Sequence, residues 1–164
     1  MVYVAVDFTV DKLADKLLGC GYRTTRPTVF LWEGVTPYLD LEAVDEVLGF
    51  VMASAAAGSA IVFDYILRSV VEGTCGLRGA ANEFAKMSRS TEPLAFGFDE
   101  GRAPAFLASQ GFQNVVDVGA EELISRYFDP RGKDRYIKPW WRMISGEVGA
   151  SVDGLSEATH GGGF

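Results

Sequence analysis

The segment Trp32-Glu33-Gly34-Val35-Thr36-Pro37-Tyr38 puts an acid, a glycine and a tyrosine on one tight turn between an apolar run and a helix signal. In an α/β protein such a turn lies at the carboxyl end of a strand, where small ligands bind. A carboxylate there attracts a cation, most strongly where water is scarce. Gly34 permits close approach of the backbone. Tyr38, amphipathic at a helix entry, could orient a ligand or simply pack. Two further acid–aromatic pairs, Asp7-Phe8 and Asp64-Tyr65, also close apolar runs. Each acid has a structural alternative: Asp7 could cap the following helix, Glu33 could lock its loop, and Asp64 with Tyr65 could cap and pack.

Other chemistries are excluded or unsupported. His160 is the only histidine and stands in a glycine-rich tail, so no Ser-His-Asp or Cys-His arrangement can form in the body of the chain. No Cys/His/Asp cluster has metal-ligand spacing, and no metal is expected. Cys20 and Cys75 give no disulfide framework, and two free thiols fit a reducing, cytoplasmic setting. A net charge of −7 argues against nucleic acid, which needs a basic face. The basic stretch 131–138 is short, interrupted by Asp134, and reads as a solvated loop. There is no signal-peptide pattern at the amino terminus and no apolar run near the ~20 residues that span a bilayer.

These residues need elements to place them. With 164 residues, 48% of them hydrophobic, the chain has one domain's length and enough apolar mass for a core. Residues 2–8 are rich in β-branched types and predict a strand. Asp11 introduces a short helix with Leu13, Leu17 and Leu18 on one face, ended by Gly19 and Gly21. Residues 28–32 predict a second strand, apolar on both faces as in a covered parallel sheet. Asp40 caps a helix carrying Leu41, Val44, Leu48 and Val51 at helical spacing, and Gly58 opens a strand over 59–66. The alternation predicts a parallel α/β sheet. Beyond it come an irregular region over 67–100 with a helix near 80–88, a helix from Pro104 to Gln110, a strand over 112–118, a helix over 120–127 and a last strand over 140–148. Residues 1–150 form the expected domain, and 151–164 a disordered tail.

The motifs Val6-Asp7-Phe8-Thr9-Val10-Asp11, Arg26-Pro27-Thr28-Val29-Phe30-Leu31-Trp32-Glu33-Gly34-Val35-Thr36-Pro37-Tyr38-Leu39, Val62-Phe63-Asp64-Tyr65 and Leu94-Ala95-Phe96-Gly97-Phe98-Asp99 occur in order across residues 2–149. Together they resemble the leucine carboxyl methyltransferase-like family, whose enzymes use S-adenosylmethionine. The resemblance implies a Rossmann-like class I methyltransferase sheet, parallel but for an antiparallel last strand, and an O-methyltransferase acting on a small carboxylate or hydroxyl acceptor. It implies cofactor contacts from Asp7, Phe8, Glu33 and Gly34. Asp7 and the next amide would hold adenine, and Glu33 would face the cofactor's cationic end. Tyr38 would contact substrate or the methionine end, and Arg68, Arg78 or Arg89 could pair with a substrate carboxylate. Trp140 and Trp141 would be core or lid contacts.

The family's opening strand with its Gly-x-Gly-x-Asp-Thr-like turn, and its second strand ending in an acid, have no counterpart here. The chain is therefore expected to be the carboxyl-terminal part of the fold, truncated at its amino terminus. Alone it would bind cofactor poorly and be inactive. It would be the carboxyl-terminal part of a working O-methyltransferase or, alternatively, a non-catalytic remnant or half of a split enzyme, with self-association or a missing amino-terminal half as its partner. Residues 2–8 would then fold against 28–32 as a new edge or stay detached.

Overall fold

A computed structural model describes residues 1–8, 10–128 and 136–150. Its elements are α1 (Leu13–Gly19), β1 (Val29–Trp32), a 3-10 turn (Thr36–Tyr38), α2 (Leu41–Ser54), β2 (Ala60–Ile66), α3 (Arg68–Val71), α4 (Ala80–Met87), α5 (Ala103–Ser109), β3 (Gln113–Gly119), α6 (Ala120–Tyr127) and β4 (Trp141–Glu147). The four strands form one sheet in the order β1-β2-β4-β3. β1 and β2 are parallel, with Val29 opposite Ala60 and Trp32 opposite Phe63. β4 is antiparallel to both neighbours and lies between β2 and β3, so the last strand in sequence is central in space.

Local chemistry accounts for the best-formed crossover. Asp40 Oδ1 accepts the Ala43 amide at 2.8 Å and starts α2. Val44, Val47, Leu48 and Val51 then fall on one buried stripe. They meet Phe30 and Trp32 of β1 and Ile61, Phe63 and Tyr65 of β2, with Leu107 and Phe112 closing the far end. Side chains so fully enclosed each contribute about 1.5–3 kcal/mol through removal from water. Leu41, on the expected stripe, is instead 55% exposed, because the helix entry projects beyond the sheet.

α1, α2 and α5 pack on this one face. The opposite face carries α6, whose Leu123 and Tyr127 share a 420 Å³ cavity with Val62, Val118 and Met143. On that face β1 presents Val29 and Leu31, which are 72% and 67% exposed. β1 is also one of the two edge strands of the sheet. A second, smaller cluster joins Ile66, Leu67, Val70, Ala80 and Trp140 beneath α3 and α4.

The strand predicted over 2–8 does not form: these residues are in no helix or strand and pair with no strand among the described residues. A run of β-branched residues favours extended backbone only where a neighbour satisfies its amides. Residue 8 turns inward instead, Phe8 meeting Trp32 with ring centroids 6.4 Å apart. Detachment from the sheet was one of the two expected outcomes. Asp11 does not cap α1, whose N-cap is Lys12 with no side-chain bond. Its carboxylate accepts the Asp7 amide at 3.0 Å and pairs with Lys16 at 3.0 Å. Leu18, placed on the apolar face of that helix, is 46% exposed. His160 and the expected tail lie outside the described residues, as does most of the basic stretch 131–138.

Candidate functional site

β1 ends at Trp32, and the chain turns sharply at Gly34, whose φ of +74° is left-handed and favours glycine. The turn is held from β2. Gly34 N–H donates to Asp64 Oδ1 at 2.7 Å, and the buried Thr36 hydroxyl donates to the Asp64 carbonyl. Asp64 is 3% exposed. Its carboxylate thus locks the loop between β1 and α2, the role the sequence left open for Glu33. Glu33 itself is exposed and makes no hydrogen bond or ion pair among the described residues.

A strip near the end of the irregular region holds the other side. The Pro37 carbonyl accepts the Ala95 amide at 2.8 Å and the Phe96 amide at 3.2 Å. Phe98 N–H donates to the Ile66 carbonyl at 3.1 Å, and Arg68 N–H to the Phe98 carbonyl at 2.8 Å. Residues 95–98 therefore extend the carboxyl end of β2. Only glycine fits at position 97, where a Cβ would lie 2.9 Å from Arg68 Cα and from the Ile66 carbonyl oxygen.

Between these supports lies a cleft of about 410 Å³. Phe8 and Tyr38 give it aromatic walls, Leu39 and Ala95 add apolar surface, and Asp40, Glu42 and Glu46 line it with no basic side chain among the described residues. Of the expected site residues, the structure brings Phe8 and Tyr38 together here. Asp7 is exposed next to Phe8, while Glu33 and Gly34 do not line the cleft. The α2 carboxylates were missed as site residues: Asp40 was read only as a cap, although Glu42 and Glu46 follow it at helical spacing. Carboxylates beside aromatic rings suit a cationic ligand with a flat apolar part.

A buried polar network joins three strands further along the sheet. Tyr65 OH donates to Asp117 at 3.0 Å and accepts from Arg142 Nε at 3.1 Å. Arg142 Nε and Nη2 donate to the two Asp117 oxygens at 3.1 Å. Burial, then the adjacent Asp117 carboxylate, push the Tyr65 hydroxyl far above its ordinary range. Tyr65 is thus a protonated hydrogen-bonding group fixed in the core, with Phe98 packed edge-on at 5.1 Å. No group of three metal-ligating side chains occurs among the described residues. No helix among them is long and apolar enough to cross a membrane.

Residues 1–52 match the family model described as leucine carboxyl methyltransferase. The chain is similar to that family over this segment. A Parafrankia sp. (strain EAN1pec) relative named "Putative S-adenosyl-L-methionine-dependent methyltransferase" is 30% identical over 116 residues, covering 67% of this chain and 34% of the relative. A Mycolicibacterium vanbaalenii protein of the same name is 29% identical over 129 residues, covering 77% of this chain and 42% of its own length. The chain therefore spans between a third and a half of the length of these curated relatives. Its fold is that of solved methyltransferases. A Thermobifida fusca structure described as a "putative methyltransferase" superposes with a TM-score of 0.59 at 18% identity, covering 88% of this chain and 53% of that one. The S-adenosylmethionine-dependent methyltransferase SibL, in its apo form, gives a TM-score of 0.55 at 12% identity over 89% of this chain and 35% of that one.

Proposed function

We propose that the chain forms part of an S-adenosylmethionine-dependent O-methyltransferase, with the 410 Å³ cleft as the place for the cofactor's cationic and aromatic parts. The observation that carries this reading is the cleft's chemistry at the carboxyl end of β1. It joins Phe8 and Tyr38 to Asp40, Glu42 and Glu46 with no competing cation among the described residues. These residues fit the group in part, since flat rings suit adenine and carboxylates suit a sulfonium and an ammonium. The cofactor supplies an already activated methyl group, so this chain's residues bind, orient and exclude water.

Gly34 and Asp64 hold the turn that presents Tyr38, and the 95–96 strip seals its far side. Asp7 and Glu33 remain proposed cofactor contacts, and Tyr38 a proposed substrate or methionine-end contact. A carboxylate acceptor needs no general base, whereas a hydroxyl acceptor would draw on Asp, Glu or Tyr here.

The second reading is a half that needs completing, and it rests on β1. Val29 and Leu31 are exposed on this edge strand, and the Trp32 Nε1 donor is buried without an acceptor among the described residues. Such an edge invites a neighbouring strand. The free thiols Cys20 and Cys75 fit a reducing, cytoplasmic compartment.

Calorimetry with S-adenosylmethionine tests the first reading. The 164-residue chain is expected to bind it far more weakly than micromolar. The family's glycine turn and ribose-binding acid have no counterpart in this sequence, and each hydrogen bond to a charged ligand is worth about 1.5–3 kcal/mol. Residual binding, followed as amide shifts at Phe8 and Tyr38, should fall in Glu42→Gln and Glu46→Gln. Shifts confined to another part of the molecule would overturn the assignment of the cleft.

A further inference from the structure

A second cavity of about 360 Å³ carries the opposite electrostatics to the cofactor cleft. Arg68, Arg102 and Asp99 line it over Phe96, Phe98 and Phe106. The aromatic floor is rigid. Phe96 and Phe98 are each 5% exposed, and the Phe96–Phe98 and Phe98–Phe106 centroids lie 4.9 Å and 5.2 Å apart. Arg68 Nε is 3.4 Å from Asp99 Oδ1, but with both side chains about half or more exposed the pair is loose. The Arg102 guanidinium makes no ion pair or hydrogen bond among the described residues. In a chain of net charge −7, two guanidiniums thus face one carboxylate.

The cavity connects with the first. A 240 Å³ space shares Asp40 and Ala95 with the cofactor cleft, and it shares Leu41, Arg68 and Phe96 with this cavity. The three spaces adjoin along the carboxyl edge of β1 and β2, with carboxylates at one end, Arg68 and Glu72 in the middle and guanidiniums at the other. We propose that the guanidinium end binds a planar aromatic anion, its ring over Phe96, Phe98 and Phe106 and its anionic group between Arg68 and Arg102. The flat guanidinium fork matches a carboxylate in two parallel hydrogen bonds. An anionic group held between two guanidiniums is a poor nucleophile. It acts as the handle that orients the ligand, with the ligand's other end directed along that edge. This assignment names the acceptor class of the proposed methyltransferase and rests on that reading for its place in the reaction.

The test is an NMR titration of the 164-residue chain with 4-hydroxyphenylacetate and, separately, with 2-(4-hydroxyphenyl)ethanol, its neutral counterpart of similar shape. The acid should shift the Phe96, Phe98 and Phe106 amides and bind about tenfold more tightly than the alcohol, because only the acid gains charge-assisted bonds. Arg102→Gln should abolish that preference. Asp99→Asn should strengthen acid binding severalfold by freeing Arg68, a gain that a misfolded variant could not mimic. Equal affinity for acid and alcohol, or acid binding unmoved by both substitutions, would overturn the proposal. S-adenosylhomocysteine, titrated alone and read at Phe8 and Tyr38, separates the two sites. Shifts there without acid binding remove the anion site and leave the cofactor cleft standing. Acid binding at Arg102 without them supports the anion site and removes the cleft assignment.

Discussion

Arg142 holds the only partner charge for Asp117 in the buried network, and removing it should be among the most damaging single changes in this fold. The Asp117 side chain is 7% exposed and the Arg142 side chain 23%. Arg142→Met keeps the aliphatic bulk but leaves a carboxylate in the core with one neutral donor, Tyr65 OH at 3.0 Å. Breaking one side of a buried pair costs about 3–5 kcal/mol. The Tyr65 bond and the partial access of water at Arg142 place the expected loss near the lower end, about 3 kcal/mol, against a typical domain stability of about 5–15 kcal/mol. Tyr65→Phe leaves the ion pair intact and should cost only about 1 kcal/mol.

The decisive variant is the double change Asp117→Leu with Arg142→Met, which removes both charges. It should recover much of the loss, since a buried pair exchanged for packed apolar groups is near neutral. Urea denaturation followed by tryptophan fluorescence and circular dichroism gives the stabilities of the wild type, Arg142→Met, Tyr65→Phe, Asp117→Leu and the double variant. An Arg142→Met loss below about 1 kcal/mol, or a double variant as unstable as the two single losses summed, would refute the account of a charge-balanced buried network.

Light scattering of the wild-type chain should show self-association through the exposed Val29 and Leu31 edge, and Leu31→Lys should suppress it, since an edge lysine blocks strand pairing; a wild-type monomer at every concentration would count against an open β1 edge. Gly97→Ala should destabilise by about 1–3 kcal/mol because the added methyl meets backbone atoms of Arg68 and Ile66, and an unchanged melting temperature would contradict this packing. Asp11 titrates below its ordinary 3.8, first because it accepts the Asp7 amide and then because of Lys16. A lowered carboxylate pKa means that the latch over residues 7–11 is fully present above that ordinary value and is lost as pH falls through the lower, folded one. Lys16→Met should raise the Asp11 titration in a carboxylate-detected NMR experiment, and no change would remove Lys16 as a cause.

Much of the architecture was legible in sequence because its signals are local. The strands predicted over 28–32, 59–66, 112–118 and 140–148 matched the four strands of the described residues to within a residue or so at each end, and Asp40 with its downstream Val44, Leu48 and Val51 announced a capped amphipathic helix. The turn at Gly34 could be read from residue type alone, since few other residues tolerate its φ. Local signals misled at residues 2–8: β-propensity there was real, but a strand also needs a neighbour for its amides, and within the described residues this segment pairs with none.

What the tertiary structure alone decided depends on groups distant in sequence. Period-two alternation puts Tyr65, Asp117 and Arg142 each on one face of its strand, but they meet only because β4 inserts between β2 and β3, and strand order is not written in local pattern. Asp64 became the lock of the β1 turn, and Glu33 an exposed acid, because the parallel register of β1 and β2 aims the Asp64 carboxylate at the Gly34 amide. The adjoining spaces likewise form where the 95–98 strip returns to Pro37 and Ile66, bringing Arg68 beside Asp99 and Phe96. Such closures are set by which surfaces bury one another, a property of the whole chain that no short window of residues contains.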